Sequence, residues 1–374
     1  MKVEEINDEN TNNSINYNTI NNNIEINKDT EININENNED NHSLENNSYI
    51  NNLKKRNKKK YLKISIILLF LLVIIFILWN GISAHKEKKF LKNIDYGKKI
   101  DVNGHNMSVD ILGDSNNQTI VILPGLGAAS PILQFKPIAE ALSDTFRMIT
   151  VEPFGYGFSD FEIEEERFTK EITSELYTCL EKLHLDNFYL MAHSISGIYS
   201  LKFANDYPSK VLGFIGLDAT VPTKEELKPN YFSSNEKIVA MKPLLDTLGF
   251  SRLYSYINPT FNIEIDPSYM YTESEIEIFK FLNRNKSYNK LILNELQHFS
   301  DNVNEMHNVS FPETVPVLNF VASETLMDDP YWIGDHYREI REKHKSKVIP
   351  LKGSHYIHLD QKEAIVQKIK EWMD

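Results

Sequence analysis

Three short segments hold residue types whose spacing suits nucleophilic attack on a carbonyl carbon. The first is Ala192-His193-Ser194-Ile195-Ser196-Gly197, which follows an apolar run and precedes a helical one. That context places Ser194 on a sharp strand-to-helix turn, a nucleophile elbow. Such a turn brings the residues two before and two after the nucleophile close together, so both must be small, and here they are Ala192 and Ser196. The turn lifts the Ser194 hydroxyl to the mouth of a sheet and aims the free N–H groups of the next helix at any developing anion. The second segment, Leu123-Pro124-Gly125-Leu126-Gly127, closes an earlier apolar run with a glycine-bearing turn. An acyl-transfer site needs two N–H donors for its oxyanion, and the candidates are those of Leu126 and Ile195. The third segment is Gly353-Ser354-His355. Histidine titrates near neutral pH unaided, which makes His355 the expected proton carrier for Ser194.

An acid should orient that histidine. The strand ending at Val321 is followed by Ala322-Ser323-Glu324-Thr325, with Thr325 where an acid is looked for. The preceding strand ends Gly216-Leu217-Asp218, and a carboxylate there faces the same crevice in a parallel sheet. Asp218 is therefore the favoured acid, with Glu324, Asp328 and Asp329 as alternatives. His358 lies three residues after His355, but no third ligand accompanies the pair, so no metal is expected. His193 is read as a local packing or hydrogen-bonding residue, because neighbours in a turn point apart.

The elements that must position these residues are legible around them. Apolar, β-branched runs mark strands at Thr119 to Leu123, Arg147 to Val151, Phe188 to Ala192, Val211 to Leu217, Val315 to Val321 and Lys347 to Leu351. Alternating with helical stretches, they predict an α/β fold whose mostly parallel sheet is covered on both faces. Lys98 to Val102 and His105 to Leu112 read as an antiparallel hairpin turning at Asn103-Gly104. The last helix starts with a capping-box pattern, Asp360 and Glu363, and presents Ile365, Ile369, Trp372 and Met373 on one face. Between Pro222 and Phe311 the strand rhythm stops, and a helical cap over 223–311 is expected. Its aromatic residues, among them Tyr231, Phe232, Phe250, Tyr254, Tyr256, Phe261, Phe279 and Phe281, are assigned to the cap's own core.

The chain before this domain has another character. Residues 1–52 hold 19 Asn and 11 acidic residues against two lysines, too little apolar area to offset the entropy of ordering. Residues 1–60 are expected to be disordered. Lys54, Lys55, Arg56, Lys58, Lys59, Lys60 and Lys63 then precede ISIILLFLLVIIFILW, an uncharged run that reaches Ile82. A membrane-spanning helix over 61–82 is the reading, long enough for a ~30 Å hydrocarbon layer. Gly81-Ile82-Ser83 resembles a cleavage site, but the run is longer than a signal core and lies behind some 60 polar residues, which favours an uncleaved signal anchor. The positive charge before it places the N-terminus in the cytoplasm and the following domain outside the cell membrane, single-pass. Residues 64–374 keep a net charge of −11, which disfavours nucleic acid as a partner. One cysteine, Cys179, allows no intrachain disulfide.

With the order Ser194, acid, His355 and the Pro124-Gly125 turn, residues 95–374 resemble the α/β-hydrolase superfamily. Glu152-Pro153-Phe154-Gly155-Tyr156-Gly157-Phe158-Ser159-Asp160 is similar to the family's Asp-x-x-Gly-x-Gly-x-Ser loop, with Glu152 replacing the first Asp. The resemblance implies an eight-stranded sheet, a helical cap after the sixth strand, and cofactor-free hydrolysis through an acyl-enzyme. A serine at 194 argues against the branches with an Asp nucleophile, the epoxide hydrolases and haloalkane dehalogenases. The anchor plus domain is similar to membrane-tethered bacterial hydrolases, some labelled prolyl aminopeptidases. The expectation is a membrane-anchored serine hydrolase cleaving an ester or amide in a small-molecule or peptide substrate. Rival readings are an acyltransferase, an aminopeptidase whose cap acids Glu295, Asp301 or Glu305 hold a substrate amine, and a catalytically silent binding module.

Overall fold

The computed structural model describes residues 37–91, 94, 96–222, 241, 244–245, 247–258, 264–286 and 289–374, except the side chains of 37–45 and 285. It divides into two compact units, residues 1–70 and 71–374. The first element, helix α1, runs unbroken from Asn37 to Leu91. Its stretch Asn46–Leu91 contains an apolar window of mean hydropathy 3.0. The expected disordered tail therefore divides: 1–36 lie outside the described residues, whereas 37–60 are helical. Extending a helix costs far less than nucleating one, and the apolar run beyond Lys63 supplies the nucleus.

In the larger unit, eight strands form one sheet: β1 (Lys98–Val102), β2 (His105–Leu112), β3 (Thr119–Leu123), β4 (Arg147–Glu152), β5 (Phe188–His193), β6 (Val211–Leu217), β7 (Val317–Ala322) and β8 (Lys347–Leu351). Their order is β1-β2-β4-β3-β5-β6-β7-β8. β1 and β2 pair antiparallel, as do β2 and β4, and every later pair is parallel. The β1–β2 turn has positive φ at both Asn103 (54°) and Gly104 (87°), which matches the right-handed twist of the strands it joins. From β3 the chain steps outward to β4, then returns to the other side of β3 with β5. That reversal opens a crevice beyond the strands' carboxyl ends, where the Pro124 turn and Ser194 both emerge.

Helices cover both faces. α2 (Pro131–Leu142) and the C-terminal helix Lys362–Met373 bury Phe135, Ile138, Leu142, Ile365 and Ile369 against Ile120, Ile122, Ile215 and Leu318. α3 (Thr169–Lys182) and α4 (Ser196–Asp206) bury Ile172, Leu176, Ile198 and Leu201 on the other face, against Val121, Ile149 and Leu190. β3 and β7 are consequently buried at every residue. The capping box expected at Asp360 does not form, since Gln361 precedes the last helix without a side-chain cap bond. Asp360 Oδ2 instead accepts from Ser354 N and Oγ, both at 2.7 Å, and so braces the histidine loop.

The described part of the 223–311 insertion contains the helices Phe250–Ile257, Glu273–Asn285, Lys290–Gln297 and Phe299–Glu305. Residues 223–240, with Tyr231 and Phe232, lie outside the described residues, as does Phe261. Phe279 is buried with Leu133, Ile278 and Leu282. Phe250, Tyr254 and Tyr256 depart from the expected cap core and are exposed. The helix that carries them turns its polar face inward, because Arg252 is held there by ion pairing.

Candidate active site

Ser194 occupies the left-handed region at φ 55° and Asp218 at φ 46°, at the ends of β5 and β6. L-residues pay about 1–2 kcal/mol there, a cost the surrounding packing must hold. Around Ser194 the packing is tight. Its carbonyl accepts from Gly197 N (2.9 Å) and Thr220 N (2.8 Å). A Cβ at Gly197 would come within 2.6 Å of the Thr220 carbonyl, and one at Gly125 within 2.6 Å of His193 Nδ1 and 3.0 Å of Ser194 Cβ. Ser196 Oγ donates to the Pro124 carbonyl, so the elbow and the Pro124 turn are bonded directly. Ile195, at the start of α4, is fully buried and Leu126 partly buried. Among the described residues, no acceptor is hydrogen-bonded to either N–H.

His355 and Asp218 meet: Nδ1 of the histidine donates to Oδ2 of the carboxylate at 2.7 Å. Asp218 is 1% exposed and accepts two further bonds, from Ala322 N to Oδ1 (2.9 Å) and from Thr325 Oγ1 to Oδ2 (2.5 Å). Thr325, the residue standing where the sequence pattern looks for an acid, donates to Asp218 at the end of the neighbouring strand. Its hydroxyl is the signal that sequence reasoning passed over. Of the alternative acids, Glu324 and Asp328 are exposed, and Asp329 Oδ1 accepts from Tyr331 N at 2.9 Å. His193, beside Ser194, donates from Nε2 to the carbonyl of His355 (3.0 Å), and the two rings lie 4.7 Å apart. Burial, with His355 and His358 nearby, holds His193 neutral well below the usual imidazole range. His358 is buried against Phe135 with ring centroids 4.5 Å apart, and burial lowers it to about 3. It packs where the metal alternative needed it to ligate.

The cap reaches this centre through carboxylates. Glu295 accepts from Tyr156 and Tyr199 hydroxyls, each at 2.8 Å, and burial raises its pKa. Tyr156 also accepts from Gly127 N at 3.4 Å, so Glu295 braces the Pro124 turn from above. Asp301 faces His298 Nδ1 at 3.4 Å, and Glu305 accepts from Thr169 Oγ1. Glu264, a residue not foreseen, accepts from Gln134 Nε2 at 2.7 Å and from Tyr356, the neighbour of His355. Beneath the site, buried Glu152 accepts from Tyr96 (2.8 Å) and Phe158 N (2.8 Å), and Gly157 leaves it room. Glu152 thus folds the loop after β4.

Ser194 thus stands in a left-handed turn above a mostly parallel sheet, and buried Asp218 at the end of β6 is bonded to His355 from the loop after β8. The α/β-hydrolase fold family matches residues 118–362, and this chain belongs to it. An uncharacterised protein of Bacillus subtilis (strain 168), YbdG, is 26% identical over 318 residues, 84% of this chain and 95% of its own. A protein of Agrobacterium fabrum named as a carbamate hydrolase, RutD, is 30% identical over 95 residues, 25% of this chain and 36% of its own. Among solved structures, an epoxide hydrolase of Vigna radiata superposes with a TM-score of 0.59 at 15% identity, covering 75% of this chain and 99% of the other. At that identity the likeness concerns the fold.

Proposed function

We propose that this protein is a membrane-anchored serine hydrolase that cleaves an ester or amide bond through an acyl-enzyme on Ser194. The observation that carries the reading is the 2.7 Å bond between buried Asp218 and His355, beside the strained turn that holds Ser194. Asp218 can only accept, so the His355 proton resides on Nδ1 and Nε2 is left as the base. Ser194 Oγ attacks the carbonyl carbon and its proton passes to His355. The N–H groups of Leu126 and Ile195 stabilise the oxyanion. Collapse breaks the bond to the leaving group, which departs with the proton from His355. Water, deprotonated by the same histidine, then releases the acid and restores Ser194. Residues 61–82 anchor the chain with its N-terminus in the cytoplasm and the hydrolase unit outside.

The decisive experiment is labelling of the purified protein by a fluorophosphonate serine probe, comparing wild type with Ser194→Ala and His355→Ala. Labelling of the wild type and its loss in both variants is expected. A folded wild type that resists the probe refutes the serine mechanism and leaves a silent binding module on this fold. Carbamates belong in the substrate screen beside p-nitrophenyl esters and aminoacyl amides, given the relative named as a carbamate hydrolase. An added alcohol or amine acceptor separates transfer from hydrolysis. Protease shaving of intact cells should remove the hydrolase unit; protection of that unit refutes the orientation.

A further inference from the structure

The cap helix Phe250–Ile257 is inverted relative to an ordinary surface helix. Phe250, Leu253, Tyr254 and Ile257, spaced i, i+3, i+4, i+7, form its outer face and are all exposed, Ile257 at 74%. Its inner face is polar. Arg252, 5% exposed, donates to Asn80 Oδ1 (2.8 Å) and to Glu87, which also binds Arg284 of helix Glu273–Asn285. Asn80, the polar residue in the last turns of the apolar run, donates in turn to the Thr247 carbonyl at 3.1 Å. Gly249, at φ 86°, permits the approach, since a Cβ there would stand 2.9 Å from Asn80 Cβ. Two aromatic pairs complete the contact: Phe76 with Phe250 at 5.7 Å and Trp79 with Tyr256 at 5.8 Å between centroids.

We infer that the outer face of Phe250–Ile257 lies in the lipid headgroup and acyl boundary of the membrane that residues 61–82 cross. The inference rests on the anchored reading proposed above. Phe76 is six residues inside the end of the apolar run at Ile82, about 9 Å along a helix axis at 1.5 Å per residue. Whatever packs on Phe76 and Trp79 is therefore at membrane depth if the span is. The depth agrees with the roughly 5–10 Å at which interfacial amphipathic helices settle. Charge agrees as well: Phe250–Ile257 contains no acidic residue, its one cation is turned inward onto Glu87, and exposed Lys86, Lys88 and Lys89 follow at headgroup level. Scattered exposed apolar residues need no explanation, but a continuous stripe beside a span does.

The test uses the full-length protein in phosphatidylcholine–phosphatidylglycerol vesicles whose acyl chains are brominated. Single cysteines, Phe70→Cys, Leu253→Cys, Ile257→Cys and Tyr337→Cys, carry an environment-sensitive fluorophore. Native Cys179 is buried, with its thiol raised to about 12, and escapes labelling. Loss of emission at 70, 253 and 257 with none at 337 is expected. Quenching at 70 without quenching at 253 and 257 overturns the docking and leaves the anchor intact. Absence of quenching at 70 overturns the anchor, and the inference with it. Two positions on one face guard against a label that unseats the helix.

Discussion

Asp218→Asn tests the catalytic reading most sharply, because both oxygens of this carboxylate have partners. Oδ1 accepts from Ala322 N, and Oδ2 accepts from both Thr325 Oγ1 and His355 Nδ1. An asparagine must put its NH2 group on one of the two sides. Facing Ala322 N, it would set donor against donor in a buried place, at about 1–3 kcal/mol. Facing His355 costs less, because the imidazole can change tautomer and the Thr325 hydroxyl can rotate. The NH2 then donates to Nδ1, the proton moves to Nε2, and the nitrogen that should take the Ser194 proton no longer can. The expected loss is of order 10⁴ in the acylation rate, or about 5 kcal/mol of barrier. The assay is the rate constant for fluorophosphonate labelling, read beside a thermal melt to show that the variant is folded. A folded Asp218→Asn protein labelled within tenfold of wild type would refute the assignment of Asp218 as the orienting acid.

Thr325→Val keeps volume and removes one donor to the carboxylate. Hydrogen bonds to charged groups are worth about 1.5–3 kcal/mol, and a labelling rate about tenfold or more below wild type is expected, with an unchanged rate as the contrary result. Gly157→Ala would set a Cβ 2.1 Å from the Glu152 carboxylate at φ 47°. A destabilisation of about 2–4 kcal/mol is expected from strain and overpacking, read as a lowered melting temperature. His358 carries a pH signature, because burial lowers its folded pKa to about 3 against 6.5 when free. Between those values the unfolded chain binds a proton that the folded one refuses, so this stability is present above pH 6.5 and lost as pH falls. By pH 5 the loss is about 2 kcal/mol. His358→Leu should flatten the fall in melting temperature between pH 7 and pH 5, and an unaltered slope in that variant would contradict this account.

Much of the candidate site is legible because local physics demands it. Small residues at 192 and 196 announce a turn that nothing larger survives, and six apolar runs alternating with helical stretches announce a sheet covered on both faces. The Asp218–His355 contact is less legible, since nothing local links the two across 137 positions. Its reading depended on knowing that adjoining strand ends share a crevice. Thr325 was legible only as a missing carboxylate. Asp360 is ambiguous for a related reason: a helix cap and a loop brace need the same short acceptor, and spacing alone does not choose between them.

What the sequence determined by itself is what short-range sterics and burial dictate: the elbow, the alternation of strands and helices, the apolar run at 64–82, and the small set of side chains able to move a proton. The tertiary structure decided what depends on which elements become neighbours. It brought Thr325 and Ala322 onto Asp218, held His358 in the core against Phe135, and spent Glu295 on two tyrosines. It also turned Arg252 inward to Glu87, leaving the aromatic face of the cap helix outside. Periodicity reveals that a helix has an apolar face, but only its neighbours settle which face is buried, because a paired charge can claim the interior before the aromatic side chains do.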